Sequence, residues 1–271
     1  MRIGPSEEGI MKVVILCGGK GTRLREETEY RPKPMVLIGG RPILWHIMKT
    51  YAHYGYDDFV ICLGYKGSAI KEYFLNYQEM NNDFTIELGT QKKIKLHTSN
   101  NGDRERNWKI TLVDTGEEAQ TGARVKRVER YLDGETFMLT YGDGVANINV
   151  QNLLKYHRKH GLIGTMTGVR PSSRFGEIVL DHNRVKVFNE KPQVTEGLIN
   201  GGYFVFNAGF FDYLKDDDAC ILEKEPLSSL VADSQLMVYP HSGFWQCMDT
   251  YRESELLNGL WKGGNAPWKI W

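Results

Sequence analysis

The most constraining stretch of this chain is an apolar run, Val13-Val14-Ile15-Leu16, that leads directly into a glycine-rich loop, Cys17-Gly18-Gly19-Lys20-Gly21-Thr22-Arg23-Leu24. The run predicts a fully buried first strand from Lys12 to Cys17, because a strand covered on both faces needs no polar alternation. Glycines at 18, 19 and 21 let the backbone adopt positive φ and bring successive N–H groups close to an anion with no Cβ in the way. The loop lacks the Gly-x-x-x-x-Gly-Lys-Ser/Thr spacing of a Walker loop. It also lacks the third glycine of a dinucleotide fingerprint, since Leu24 follows Arg23. Taken alone, the loop fits either phosphate binding or an ordinary flexible turn.

Helical and strand patterns alternate downstream. Pro42 to Tyr54 predicts a helix with Pro42 in its first turn and Ile43, Ile47 and Tyr51 on one face. Asp58 to Leu63 predicts a second strand, and Ser68 to Tyr77 a helix carrying Ile70, Phe74 and Tyr77. Strands are expected near Thr85, at Ile110 to Val113 and at Thr136 to Thr140, with a helix over Arg124 to Tyr131. Such alternation predicts the α/β class, a mainly parallel sheet flanked by helices, with ligands at the C-terminal ends of the strands. After a helix at Val150 to His160 the chain becomes β-rich. A hairpin is expected from Phe175 to Leu180 and Arg184 to Phe188, closed at Asp181-His182-Asn183, then a strand at Tyr203 to Phe206. A helix at Glu225 to Ala232, a strand near Met237 to Tyr239 and a helix at Tyr251 to Trp261 complete the pattern. With no repeat and no linker, one domain over residues 11–271 behind an extension of residues 1–10 fits better than two. Its parts are 11–150 and a β-rich 151–271. The polar stretch 89–107 interrupts the pattern and reads as a hairpin or arm, either plain surface or a subunit contact.

Composition excludes several classes of function. Thirty-four basic and thirty-four acidic side chains give no net charge, so no global field draws the chain to nucleic acid or to an anionic membrane. No apolar run approaches the roughly 20 residues of a membrane span. The polar start, Met1-Arg2-Ile3-Gly4-Pro5-Ser6-Glu7-Glu8-Gly9, has no apolar secretion core, and the cytoplasm is the expected location. Cys17, Cys62, Cys220 and Cys247 are far apart and predict reduced thiols. His157 and His160 share a helix face but lie in a basic stretch, which a solvated face explains as well as a metal site does.

Side chains that can carry chemistry are scattered. Pro32-Lys33-Pro34 holds an ammonium in what reads as an extended segment, suited to a phosphate or merely to a rigid turn. Asp143, in Gly142-Asp143-Gly144 after the strand ending at Thr140, can hold a divalent cation or simply make a turn. Glu190-Lys191-Pro192 sets an acid beside a base at a strand end. Asn200-Gly201-Gly202 suits sugar hydroxyls or a bulge. Asp249, after Phe244-Trp245-Gln246, is either a second metal ligand or the N-cap of the last helix. No nucleophile elbow or Cys–His pairing signal is visible. The inventory points to phosphoryl or nucleotidyl transfer, in which positioning and charge neutralisation carry the catalysis.

Together, Gly18-Gly19-Lys20-Gly21-Thr22-Arg23-Leu24, Pro32-Lys33-Pro34 and Glu190-Lys191-Pro192 resemble the motifs of the sugar-1-phosphate nucleotidyltransferase family. Leu112-Val113-Asp114-Thr115-Gly116, Tyr141-Gly142-Asp143-Gly144-Val145, Arg174-Phe175-Gly176, Asn200-Gly201-Gly202 and Ala266-Pro267-Trp268-Lys269 are similar to members that take CTP and α-D-glucose 1-phosphate. The resemblance implies a Rossmann-like core, Mg²⁺ as cofactor, a homo-oligomer, and release of CDP-glucose and pyrophosphate. It implies that Leu16, Cys17, Gly18, Gly19, Lys20, Gly21, Thr22 and Arg23 bind the nucleotide, with Lys33, Thr121, Gly122, Arg124 and Gly142 beside it. Glu190, Lys191, Asn200 and Gly201 would hold the sugar phosphate, and Asp143 and Asp249 the metal. Arg23, Lys33, Asp143 and Lys191 would then be the catalytic set. Cys17 stands where the family commonly has alanine, and the polar arm around 100–107 is the least familiar part.

Overall fold

The computed structural model describes residues 11–21, 24–89, 92–97, 107–171, 177–182, 184–189 and 197–271. Seven strands make the central sheet: β1 (Lys12–Leu16), β2 (Asp58–Leu63), β3 (Lys109–Asp114), β4 (Phe137–Tyr141), β5 (Gly164–Val169), β6 (Ile199–Phe206) and β7 (Leu236–His241). They lie in the order β7-β5-β6-β4-β1-β2-β3. Only β6 runs antiparallel to its neighbours; the other pairings are parallel. Pro240, which cannot donate to a ladder, sits on the edge strand β7.

The apolar runs are explained by what covers them. Val13 and Ile15 of β1 and Phe59 and Ile61 of β2 face one core, with Leu44, Ile47 and Tyr51 of the helix Ile43–His53. Val14, Leu16, Val60 and Cys62 face the other, with Val125, Leu227 and Leu230 from the helices Thr121–Arg127 and Glu225–Ala232. Both faces are dry, so both parities along each strand must be apolar.

Three expectations need correction. The strand near Thr85 is not in the central sheet: Asp83–Leu88 pairs antiparallel with Lys92–His97 as a separate hairpin, and every residue of its first strand is exposed. Its alternating polar and apolar pattern belongs to a ribbon, not to a buried parallel strand. The helix expected over Ser68 to Tyr77 divides at Asn76 into Gly67–Leu75 and Tyr77–Asn81. The helix expected over Arg124 to Tyr131 runs from Thr121 to Arg127 and is followed by a 3-10 turn, Glu129–Tyr131. The later hairpin forms as expected, from Glu177–Asp181 and Arg184–Asn189. Among the described residues no helix is long and apolar enough to cross a membrane.

The C-terminal segment closes one face of the sheet around His46. This imidazole is fully buried; its Nε2 donates to the Ile38 carbonyl at 2.9 Å and its Nδ1 accepts from the Trp268 indole at 3.3 Å. Trp261 packs edge-on, 4.7 Å between ring centroids. Burial pushes the His46 pKa down to about 4. The unfolded chain takes up this proton near pH 6.5 and the folded chain only near 4, so folding loses about 1.4 kcal/mol per pH unit across that window as pH falls. Replacing His46 by Gln removes the titration. Urea denaturation should therefore show the stability gap between wild type and His46→Gln narrowing by roughly 1 kcal/mol per unit between pH 6 and 4.5. A constant gap would mean that the folded protein protonates His46 as readily as the unfolded chain.

Candidate active site

In the sheet order the chain steps from β1 to β2 on one side, while β4 flanks β1 on the other. That reversal opens a crevice beyond the C-terminal ends of β1 and β4. A cavity of about 300 Å³ lies there, lined by Leu16, Cys17, Gly18, Gly19 and Gly21, with Lys33, Thr121, Arg124, Tyr141, Gly142, Asp143 and Asp249. A neighbouring cavity of about 320 Å³ is lined by Asn200, Gly201, Gly202, Trp245 and Cys247, and it shares Tyr141, Asp143 and Asp249 with the first.

The two aspartates are brought together by a short ribbon. Gly144–Ala146 pairs antiparallel with Trp245–Cys247, and the Met248 N–H donates to the Asp143 carbonyl at 2.8 Å. Lys33 reaches the pair from a 3-10 turn, Lys33–Met35, that follows Pro32; Pro32 is extended as expected, while Lys33 and Pro34 belong to the turn. Lys33 Nζ donates to Asp143 Oδ2 at 2.6 Å and also to Asp249 Oδ1, and the lysine is 8% exposed. Burial pulls its ammonium down, and the two carboxylates outweigh that and hold it above the usual lysine range.

Asp249 is not the helix cap. The helix Tyr251–Lys262 is capped by Thr250, whose hydroxyl accepts from the Glu253 N–H, while the Glu253 carboxylate accepts from the Thr250 N–H at 2.8 Å and the Asp249 N–H at 2.7 Å. This capping box leaves the Asp249 carboxylate to meet Lys33. Cys247 Sγ lies 3.8 Å from Asp249 Oδ2, and burial pushes its pKa up to about 12, so it remains a thiol. Two converging carboxylates are the oxygen donor set that a hard divalent cation takes from protein when phosphates and water complete its shell. Among the described residues no group of three or more acid, His or Cys side chains forms a fuller metal cage.

Arg124 lines the cavity, but its guanidinium serves the backbone. Nη1 donates to the Leu63 carbonyl (3.0 Å), Thr115 Oγ1 (2.9 Å) and the Gly116 carbonyl (2.7 Å), and Nη2 to the Gly18 (3.0 Å) and Glu117 (3.2 Å) carbonyls. A Cβ on Gly18 would lie 2.1 Å from Arg124 Nη1, so this position must be glycine for the clamp to close. Gly122 lines neither cavity; its N–H donates to the Cys220 carbonyl at 3.0 Å. Lys20 pairs with Glu118 at 2.7 Å on the surface. Thr22, Arg23, Glu190 and Lys191 lie outside the described residues, as does Arg174-Phe175-Gly176. His157 and His160 are away from the crevice: both hydrogen-bond Thr165 Oγ1, at 2.9 and 2.7 Å, and His157 also bonds Asn207.

No site role follows from the sequence for Tyr141, although it stands in one of the quoted motifs, or for Glu223. Tyr141 walls both cavities; its place as the last strand residue before Gly142-Asp143-Gly144 was the available signal. Glu223, whose carboxylate meets Tyr141 and Thr121, gives none, since it stands in an ordinary charged segment, Glu223-Lys224-Glu225.

The nucleotidyl transferase family matches residues 12–250. A glucose-1-phosphate cytidylyltransferase of Salmonella typhi is 48% identical over 262 residues, covering 96% of this chain and 100% of that one. A protein of the same name from Salmonella typhimurium is also 48% identical, with the same coverage. A solved apo UDP-glucose pyrophosphorylase superposes with a TM-score of 0.68 over 94% of this chain and 99% of its own, at 15% identity, a likeness of fold alone.

The Arg124 clamp has a measurable consequence. Arg124→Met removes the charged donor that ties the Gly18, Leu63, Gly116 and Glu117 carbonyls together, and urea denaturation should show a loss of about 2–3 kcal/mol. An unchanged midpoint would show that the side chain does not hold the loop.

Proposed function

The chain belongs to the nucleotidyl transferase family, and on that premise we propose that it makes CDP-glucose and pyrophosphate from CTP and α-D-glucose 1-phosphate. The observation that carries this reading is the Lys33 ammonium between Asp143 and Asp249, at the boundary of two cavities that share both carboxylates. One cavity, beside the glycine loop, takes the nucleotide; the other, beside Asn200 and Gly201, takes the sugar phosphate.

The reaction is a single in-line displacement. A phosphate oxygen of glucose 1-phosphate bonds to the α-phosphorus of CTP, the bond to the β-phosphate oxygen breaks, and pyrophosphate leaves with the electron pair. A phosphate monoester loses its second proton near pH 6, so the attacking oxygen is anionic at neutral pH and no protein base is required. The difficulty is repulsion between two polyanions. Lys33 neutralises charge at the boundary between the two cavities, and Arg23 and Lys191 are assigned to the triphosphate and the sugar phosphate. Asp143 and Asp249 would hold Mg²⁺, which when bound offsets phosphate charge and aligns the reacting groups. Glu190 and Asn200 are assigned to sugar hydroxyls.

A cytoplasmic homo-oligomer completes the reading. The exposed side chains of Phe84, Ile86, Leu88 and Ile94 on the hairpin support the subunit contact. The nearest alternative keeps the chemistry and changes the base to uracil, thymine or adenine.

Pyrophosphate release measured with CTP, UTP, dTTP and ATP against several sugar 1-phosphates tests the reading. The highest kcat/KM is expected for CTP with glucose 1-phosphate, and a tenfold preference for another triphosphate would overturn the base assignment. Asp143→Asn should lower kcat by about 10³-fold, near 4 kcal/mol of barrier, with the Tm within a few degrees of wild type. Near-normal turnover would remove Asp143 from the metal site.

A further inference from the structure

The two half-sites are joined by a continuous hydrogen-bonded path that runs through one carboxylate. Thr121, the first residue of the helix beside the nucleotide cavity, donates its hydroxyl to Glu223 Oε2 at 2.7 Å and accepts the Leu222 N–H at 2.9 Å. Tyr141 donates its phenol to Glu223 Oε1 at 2.5 Å. The phenol oxygen accepts from Asn200 Nδ2 at 3.1 Å, and Asn200 Oδ1 accepts the Gly202 N–H at 2.8 Å. Gly202 is needed here, since at φ +76° a Cβ would lie 2.4 Å from the Tyr141 ring.

The direction of every bond follows from the carboxylate. An ionised Glu223 has only acceptors, so both hydroxyls must donate to it, and the Tyr141 oxygen is left to accept from an amide N–H. That in turn fixes which end of Asn200 meets Tyr141, and hence which amide N–H remains for a ligand. Burial, with the Glu223 carboxylate next, pushes the Tyr141 pKa up, so the phenol remains a donor.

We propose that Glu223 is a positioning residue that sets Asn200 for the sugar phosphate through Tyr141 while anchoring Thr121 on the nucleotide side. This rests on the assignment of the two cavities above. Glu223 lines neither cavity and acts through the hydroxyls it orients. A glutamine in its place has one acceptor oxygen and one donor nitrogen, so one of the two hydroxyls loses its acceptor. If Tyr141 turns, Asn200 loses its fixed orientation.

The test is a double-mutant cycle read by calorimetric binding of glucose 1-phosphate and of CTP to the full chain, with pyrophosphate release measured alongside. Glu223 is exposed, so Glu223→Gln should keep the wild-type Tm; Glu223→Ala serves as the second variant. Glu223→Gln is expected to weaken glucose 1-phosphate binding about tenfold, the scale of one hydrogen bond to a charged group. In a Tyr141→Phe background, which has no phenol to orient, it should weaken binding less than twofold further. An equal tenfold effect in both backgrounds, or no effect in either, would overturn the proposal. Wild type that binds both substrates without releasing pyrophosphate would overturn the functional reading while the cycle still decides the role of Glu223. Wild type that does not bind glucose 1-phosphate would overturn both.

Discussion

The site depends on one electrostatic arrangement, a nearly buried ammonium held between two carboxylates. Asp143 and Asp249 lie at the end of a strand and at the start of the last helix, and two like charges this close need a cation between them. Lys33 supplies it. The surrounding construction maintains that contact: the ribbon Gly144–Ala146 with Trp245–Cys247 fixes the carboxylates relative to each other. The 3-10 turn after Pro32 delivers the lysine. The Thr250–Glu253 capping box satisfies the helix end so that Asp249 need not.

The glycine loop is held by a comparable economy of charge. Arg124 gathers carbonyls from the loop, from the end of β2 and from residues 116–117. The Gly18 carbonyl, which also accepts from the Tyr65 N–H at 3.1 Å, is thereby held by donors on the protein side, away from where a phosphate would meet its negative end. The same arginine that resemblance places near the nucleotide is, in this geometry, the support of the loop that would bind it. The His46–Trp268 contact does similar work at the opposite end of the chain, anchoring the C-terminal segment against the core.

Much of the fold could be read from local patterns. The runs Val13–Leu16 and Phe59–Leu63 report strands covered on both faces, and the helices at 43–53, 150–160 and 225–232 fall where their periodicity places them. The reading failed where one local pattern has two tertiary outcomes. A strand near Thr85 looks the same whether it joins the sheet or stands out as a hairpin. The sequence leaves Asp249 open between metal ligand and helix cap, and the capping box of Thr250 with Glu253 is what takes the cap away from it.

The sequence by itself determined the class of the fold, the backbone freedom of the glycine loop at residues 17–21 and most of the residues that line the crevice, because strand burial, glycine permissiveness and motif spacing are properties of neighbours along the chain. Only the tertiary structure decided that Lys33, Asp143 and Asp249 form one charge cluster, that Arg124 clamps backbone, and that Glu223 reaches Thr121 and Tyr141. Those contacts join residues separated by as many as 216 positions, as between Lys33 and Asp249. No local pattern encodes them; they exist because strand order and register carry distant segments to the same end of the sheet.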